Sequence, residues 1–425
     1  MKKKFMVLPL AAIAVLGLGS CGQEAETEKT KINIWATAAE EEVIKAVVDE
    51  YNANHELDFE YEFTAISEAD AGTTLANDPT VNGAPALFLC ADDHIDTLKS
   101  KNIVAEIKNA RKEAVINSTT ETAVLGATLE DKLWGYPVTG DNGYFLWYNK
   151  AALTAEDVTS LETILQKAKA AGKTFLMDVA NGWYANSFIM SPQANGVESL
   201  KWKKGETGNV YDTTWDNASA VKVSEYVQSL LTPAYTDGTL QMGSNDVIAA
   251  GFKDGTMIAA VSGTWMQNDL QAAIGDNLAA TKLPAYHIDG TAYQMASFSG
   301  SKVYCINKTR PAAEQKTAAE LAELLTSKEG QLKRFEIRNA LPCNKEAITD
   351  ARYTSKVTIG GAALVEQSLY ACIQAQTAES RYWDIGKAIG QAYVDGNLGT
   401  TDAGAAKTWQ QFLTDQMNIL RNPQI

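Results

Sequence analysis

Residues 84–104 read APALFLCADDHIDTLKSKNIV. The first seven, APALFLC (84–90), are almost wholly apolar, the composition of a strand covered on both faces, as in a parallel sheet. DHIDTLKSKNIV (93–104) then starts a helix with Asp at its opening. Upstream, KINIWA (31–36) alternates as a strand, and residues 38–54 set Val43, Ile44, Val47, Val48 and Tyr51 on one helical stripe. LDFEYEF (57–63) alternates again, and SEADAGTTLAND (67–78) is a polar helix ended by Pro79. This β-α-β-α-β order predicts a parallel α/β sheet with helices on its faces.

Further along, LWGYPV (133–138) and YFLWYN (144–149) read as strands flanking the polar stretch TGDNG (139–143). Helices are expected near 160–171, 185–194, 217–231 and 244–253. MIAAVSG (257–263) is a short buried strand leading to a helix from Thr264, and SFSGSKVYCIN (297–307) is strand-rich. The C-terminal part reads as helices over 313–336, 362–375, 382–394 and 403–420.

A chain of 425 residues is too long for one ordinary domain, so two are expected. The net charge of −15 disfavours nucleic acid, which needs a basic field, and also adsorption on anionic lipid. The N-terminus is a targeting segment: Lys2-Lys3-Lys4, then FMVLPLAAIAVLGLG (5–19), too short to span a bilayer comfortably. It ends in Leu18-Gly19-Ser20-Cys21, which resembles a bacterial lipobox. That resemblance implies removal of residues 1–20, acylation of Cys21 as a membrane anchor, and a flexible tether over 21–30. An ordinary secretory leader with a chance Cys is the alternative.

Cys90, Cys305, Cys343 and Cys372 lack CxxC spacing, so no zinc site is indicated, and their pairing stays open. Cys90 and Cys305 lie in apolar runs and read as small hydrophobes. The three histidines have no metal-ligand spacing, and GxSxG, P-loop and GxGxxG motifs are missing. This argues against an enzyme, although the paired carboxylates of glycosidases leave no fixed signature. No metal or cofactor is expected.

Six stretches carry a resemblance when taken in order. They are the lipobox, KINIWATAAEEEVIKAVVDEYN (31–52), APALFLCADDHIDTLKSKNIVAEI (84–107), KLWGYPVTGDNGYFLWYNK (132–150), DVIAAGFKDGTMIAAVSGTWMQNDL (246–270) and LLTSKEGQLKRFEI (324–337). The chain resembles the extracellular solute-binding proteins of carbohydrate ABC importers, the maltose/maltodextrin-binding group in particular. The resemblance implies a two-lobe periplasmic-binding-protein-like (type II) α/β fold with a hinge between lobes. Lobe 1 would comprise 31–140 plus 290–345 and lobe 2 144–285 plus 350–425, with crossings near 139–143, 285–295 and 343–350. It further implies a monomeric, extracytoplasmic, lipid-anchored protein, not an enzyme. Such a protein captures an oligosaccharide, maltodextrin-type favoured, and delivers it to an ABC permease. A secreted glycoside hydrolase using Asp93 and Asp141, a binder of a non-α-glucan oligosaccharide, and an adhesive surface lipoprotein are the alternatives.

A sugar ring has apolar faces and a hydroxyl rim, so its site needs aromatic planes and polar side chains, carboxylates best of all. In VANGWYANSF (179–188), Trp183 and Tyr184 align with a stretch that presents a stacking aromatic in the family; a core pair is the bland reading. Trp265, after Ser262-Gly263-Thr264, and Trp383, in SRYWDIGKAIGQAYV, match stacking positions, the alternatives being a helix staple and core packing. Tyr382 reads as the core member beside Trp383. Asp93 matches a sugar-binding acid, although one of Asp92-Asp93 is expected to cap the following helix, and His94 stands where the family often has Arg. Asp141 or Asn142 corresponds to a sugar-contacting acid, against a turn reading; Thr37 is a weaker contact. Glu40-Glu41-Glu42 reads as a solvated helix start.

Overall fold

The computed structural model describes residues 30–422 except 56–57, 195–200, 205–208, 374–379 and 400–406. The leader 1–20, Cys21 and most of the tether lie outside the described residues, as does the start of the last expected helix. Among the described residues no helix is long and apolar enough to cross a membrane.

Two mixed sheets organise the chain. Their strands are β1 Ile32–Ala36, β2 Tyr61–Ala65, β3 Leu87–Ala91, β4 Tyr136–Gly143, β5 Phe145–Asn149, β6 Thr174–Leu176, β7 Leu240–Gln241, β8 Met257–Ser262, β9 Leu278–Thr281, β10 Ser297–Ile306 and β11 Ala371–Ile373. The first sheet runs β11-β10-β3-β1-β2, with β4 also on β10; the second runs β7-β6-β8-β5-β9. The expected parallel unit is present, since β1 pairs parallel with β2 and β3. Each sheet, however, takes in an antiparallel strand: β10 against β3 and β5 against β8. The connectivity explains the exception. β5 follows β4 of the other sheet directly, and β10 follows β9 and a short hairpin of the second lobe. A strand delivered this way needs no crossover helix and enters from the opposite end.

Each sheet has its own core. Ile34, Val43, Phe88, Leu89, Val303 and Leu321 belong to the first lobe's. The second lobe has one core on each side of its sheet. Leu146, Phe175, Phe188, Ile385 and Trp409 lie in one, and Phe145, Trp147, Leu176, Met257 and Leu364 in the other. The long β10 spans both lobes: Phe298 lies in a second-lobe core and Val303–Ile306 in the first.

Three local expectations are corrected. TGDNG is not a connection between strands but the end of β4, pairing with β10 through two irregularities that bend the ladder. The helix expected over 313–336 is two, Ala312–Thr326 and Lys328–Arg338. Extended Ser327 separates them, and its Oγ accepts from Gly330 N–H at 3.1 Å. The helix expected over 362–375 is Ile359–Ser368, and the chain then turns to form β11, which pairs parallel with Ser297–Ser299.

The helices Gly182–Ile189 and Ser380–Asp395 meet through glycines. A Cβ at Gly182 would lie 2.8 Å from the Trp383 carbonyl oxygen, and one at Gly390 only 1.6 Å from that of Val179. Backbone cannot yield as a side chain can. Gly390→Ala is therefore expected to cost at least the ~1–3 kcal/mol of an overpacked core, read as a lower urea midpoint at unchanged slope.

Candidate functional site

Asn181 starts the aromatic region. It is extended, and its Oδ1 accepts from Trp183 N–H at 3.0 Å, capping helix Gly182–Ile189. Trp183 and Tyr184 thus sit in the first turn. Buried Tyr144 supports both, with ring centroids 4.8 Å from Trp183 and 4.7 Å from Tyr184, and its hydroxyl donates to the Trp183 carbonyl at 2.8 Å. Trp265 lies in the turn after β8, 39% exposed, stacked on Trp183 at 5.7 Å with 30° between planes. Its indole N–H donates to Asn245 Oδ1 at 3.3 Å, and its ring folds over Gly263, where a Cβ would lie 2.1 Å away. Trp383 is half-buried between Tyr382 and Phe298, its backbone pressed against Gly182. Tyr382 is fully buried and donates to the Gly182 carbonyl at 3.0 Å.

The fold therefore brings Trp183, Tyr184 and Trp265 into contact and sets Trp383 alongside. The two neighbours in VANGWYANSF differ. Burial pushes the Tyr184 phenol well above its usual range, Asp178 adding to this and a hydrogen bond with Ser262 opposing it. Trp183 instead lies against Trp265.

The polar candidates stand on the first lobe, at the carboxyl ends of its strands, the edge where α/β proteins place ligands. Thr37 follows β1, Asp93 follows β3, and Asp141 and Asn142 lie in β4. Among the described residues, Thr37 Oγ1, Asp93 Oδ1 and Asp141 Oδ1 are buried without a hydrogen-bond partner. Buried atoms of this kind are uncommon and costly unless a partner is supplied. Asp141 Oδ2 accepts from Leu341 N–H at 3.4 Å. Asn142 reaches beside Gly300, where a Cβ would lie 2.8 Å from its Nδ2. Thr139 Oγ1 is a fourth buried atom without a partner, missed in the sequence because threonine is ordinary in a strand.

Two sequence readings fail here. Neither Asp92 nor Asp93 caps a helix: residue Ala91 holds that position, with no side-chain cap. Asp92 is buried instead, and its Oδ2 accepts from Ser301 N–H of β10 at 2.7 Å. Burial pushes its carboxyl well above the usual range, the neighbouring Asp93 adds to this, and the Ser301 hydrogen bond only partly opposes it. An unfolded Asp loses its proton near pH ~4, while the folded one retains it to higher pH. Stability therefore falls as pH rises from there to the folded-state value. Asp92→Asn is expected to raise the melting temperature at pH 7 and to lose that advantage below pH ~4. An equal gain at both pH values would refute this.

Glu40 is not a solvated helix-start residue. It is 1% exposed and accepts from Arg334 Nε at 3.0 Å, from Arg338 and from the Tyr304 hydroxyl at 3.2 Å. Burial alone would push its carboxyl up, but Arg334 and Arg338 outweigh it and hold it below the usual range. Only Glu41 and Glu42 are exposed. The local sequence carried no signal for this group, because Arg334 lies 294 residues from Glu40.

All four described cysteines are free and buried, with Cys90 and Cys305 Sγ atoms 3.8 Å apart. Among the described residues no group of three or more His, Cys, Asp or Glu could hold a metal.

Each of the two sheets thus has its own core, β10 contributes to both, and the aromatic cluster and the buried polar atoms lie on different lobes. The chain belongs to the bacterial extracellular solute-binding protein family, whose pattern it matches over residues 46–360. Among solved structures it is similar to one determined with acarbose, at 25% identity over 92% of this chain and 99% of that one, TM-score 0.73. It is also similar to the maltodextrin-binding protein of L. casei BL23, with 21% identity, 93% and 100% coverage and a TM-score of 0.76. A third is the maltotriose-binding protein of Thermus thermophilus, at 15% identity, 92% and 99% coverage and a TM-score of 0.71. No curated protein sequence matches.

Proposed function

We propose that this protein captures an oligosaccharide, maltodextrin-type favoured, between its lobes and hands it to an ABC permease without altering it. One observation supports this most. Stacked indoles at Trp183 and Trp265, with Trp383 alongside, lie on one lobe, and the strand ends of the other carry buried carboxylate and hydroxyl atoms that lack partners among the described residues. Apolar planes plus acceptor-rich edges suit a sugar's two kinds of surface, and several planes suit more than one ring. The likeness to maltodextrin- and maltotriose-binding proteins points the same way.

Residues 31–140 with 290–345 form one lobe in this reading, and 144–285 with 350–425 the other, with the hinge crossings near 139–143, 285–295 and 343–350. Closure is a hinge motion driven by contacts from both lobes to one ligand. Thr37, Asp93, Asp141 and Asn142 take hydroxyls, and Trp183, Tyr184, Trp265 and Trp383 form the wall. The Cys21 lipid anchor keeps the monomer at the outer face of the cell membrane, beside its permease. Calorimetry on residues 22–425 with malto-, fructo- and galacto-oligosaccharides tests the reading. Micromolar or tighter binding of a malto-oligosaccharide is expected. No heat with any sugar, alongside tight binding of an amino acid or metal, would overturn it; release of reducing sugar would mark a hydrolase.

A further inference from the structure

The lysine in β10 has no part in the site described so far. Lys302 pairs across the sheet with Ala91 of β3 on one side and Thr139 of β4 on the other, which sets it one or two residues from Asp92, Asp93 and Asp141. Its ion-pair partner Glu68 opens the helix after β2. β2 and β10 are separated in the sheet by β1 and β3. At ~4.8 Å per strand that is a separation of roughly 14 Å. Glu68, however, lies not in β2 but at the start of the helix that packs on β3, and Lys302 stands opposite Ala91, the last residue of β3, so their 3.2 Å contact lies at the carboxyl end of β3, the edge that carries Thr37 and Asp93.

The ammonium there is not saturated by the protein. It has three donors, and among the described residues Glu68 is its one ion pair, while 22% of the side chain remains exposed. Burial works against its charge, but Glu68 and Asp141 more than restore it. Arg334 and Arg338, the other cations nearby, are held by Glu40. On the strand ends that flank it, Asp92 Oδ1, Asp93 Oδ1 and Asp141 Oδ1 are buried acceptors without a partner among the described residues. A cation with spare donors next to carboxylates with spare acceptors matches a neutral group that donates and accepts at once. A hydroxyl does both, and a vicinal pair does so twice. An anionic substituent would instead meet Asp93, Asp141 and Glu68.

We propose that Lys302 is a specificity-determining ligand contact, donating to a ring hydroxyl that in turn donates to Asp141, and so selects neutral, hydroxyl-rich sugars. This rests on the oligosaccharide reading above. The experiment is calorimetry with maltotriose and its monodeoxy analogues on wild type, K302M and K302R, with melting temperatures alongside. K302M is expected to weaken maltotriose binding about tenfold or more, as for loss of a charged hydrogen-bond partner. The deoxy analogue that costs wild type most should cost K302M little, a pattern that a purely structural role would not produce. K302M within about twofold of wild type across the panel, where a structural or absent role leaves the profile intact, would overturn the inference alone. Should K302M not fold, K302R is decisive, because its displaced donors must alter the analogue profile and an unaltered profile overturns the proposal. A wild type that binds no oligosaccharide would remove the functional reading and this inference together.

Discussion

Trp183→Ala is expected to weaken malto-oligosaccharide binding by roughly 2–4 kcal/mol, thirtyfold or more, as truncation of a central aromatic anchor does. Trp183 is one plane of a pair with Trp265, held by the Asn181 cap and by Tyr144 beneath it. Alanine removes the surface on which a sugar ring would rest and leaves Trp265 without its stacking partner. Tyr184→Ala provides the contrast. Tyr184 packs on Tyr144 and hydrogen-bonds with Ser262, so its loss should lower stability more and affinity less. Titration of both variants with maltotriose, with urea unfolding in parallel, separates the roles. Equal affinity losses would mean that both rings contact the ligand.

Glu40→Ala is expected to be the most destabilising single change at the charged cluster, by about 3–5 kcal/mol, because it strands a buried guanidinium. Arg334 is 1% exposed, with Glu40 as its ion-pair partner. Replacing both members by apolar residues, Glu40→Leu with Arg334→Met, should cost less than Glu40→Ala alone, since neither charge is then buried unpaired. Urea midpoints of the three proteins check this. The pH dependence follows from the same geometry. The Glu40 carboxyl is held below its usual range, so its contribution is present above an unfolded glutamate's pKa of ~4.3. It is lost as pH falls through the lower folded-state value. The wild-type stability advantage over Glu40→Ala should therefore shrink in acid; an advantage that grows there would contradict the assignment.

How far the sequence could be read depended on the range of the interactions. Alternation and apolar runs located β1, β3, β8 and β10, because each strand's burial is written in its own residues. Trp183, Trp265 and Trp383 stood out because large aromatics beside glycines are visible locally. What escaped was decided by partners distant in sequence. Glu40 looked like a dipole-favoured surface acid until Arg334, 294 residues away, was placed against it. Asp92 looked like a cap until Ser301 N–H claimed its carboxylate. TGDNG has turn chemistry, but pairing with β10 keeps it extended. Ser327 breaks a helix that amphipathic periodicity alone would continue.

A crystal structure of residues 22–425 with a maltodextrin tests the central claim most directly. The account predicts glucose rings laid against Trp183, Trp265 and Trp383, with hydroxyls bonded to Asp93 and Asp141 and the lobes closed around them. Sugar bound elsewhere, or an unrelated small molecule filling the cleft in its place, would contradict it.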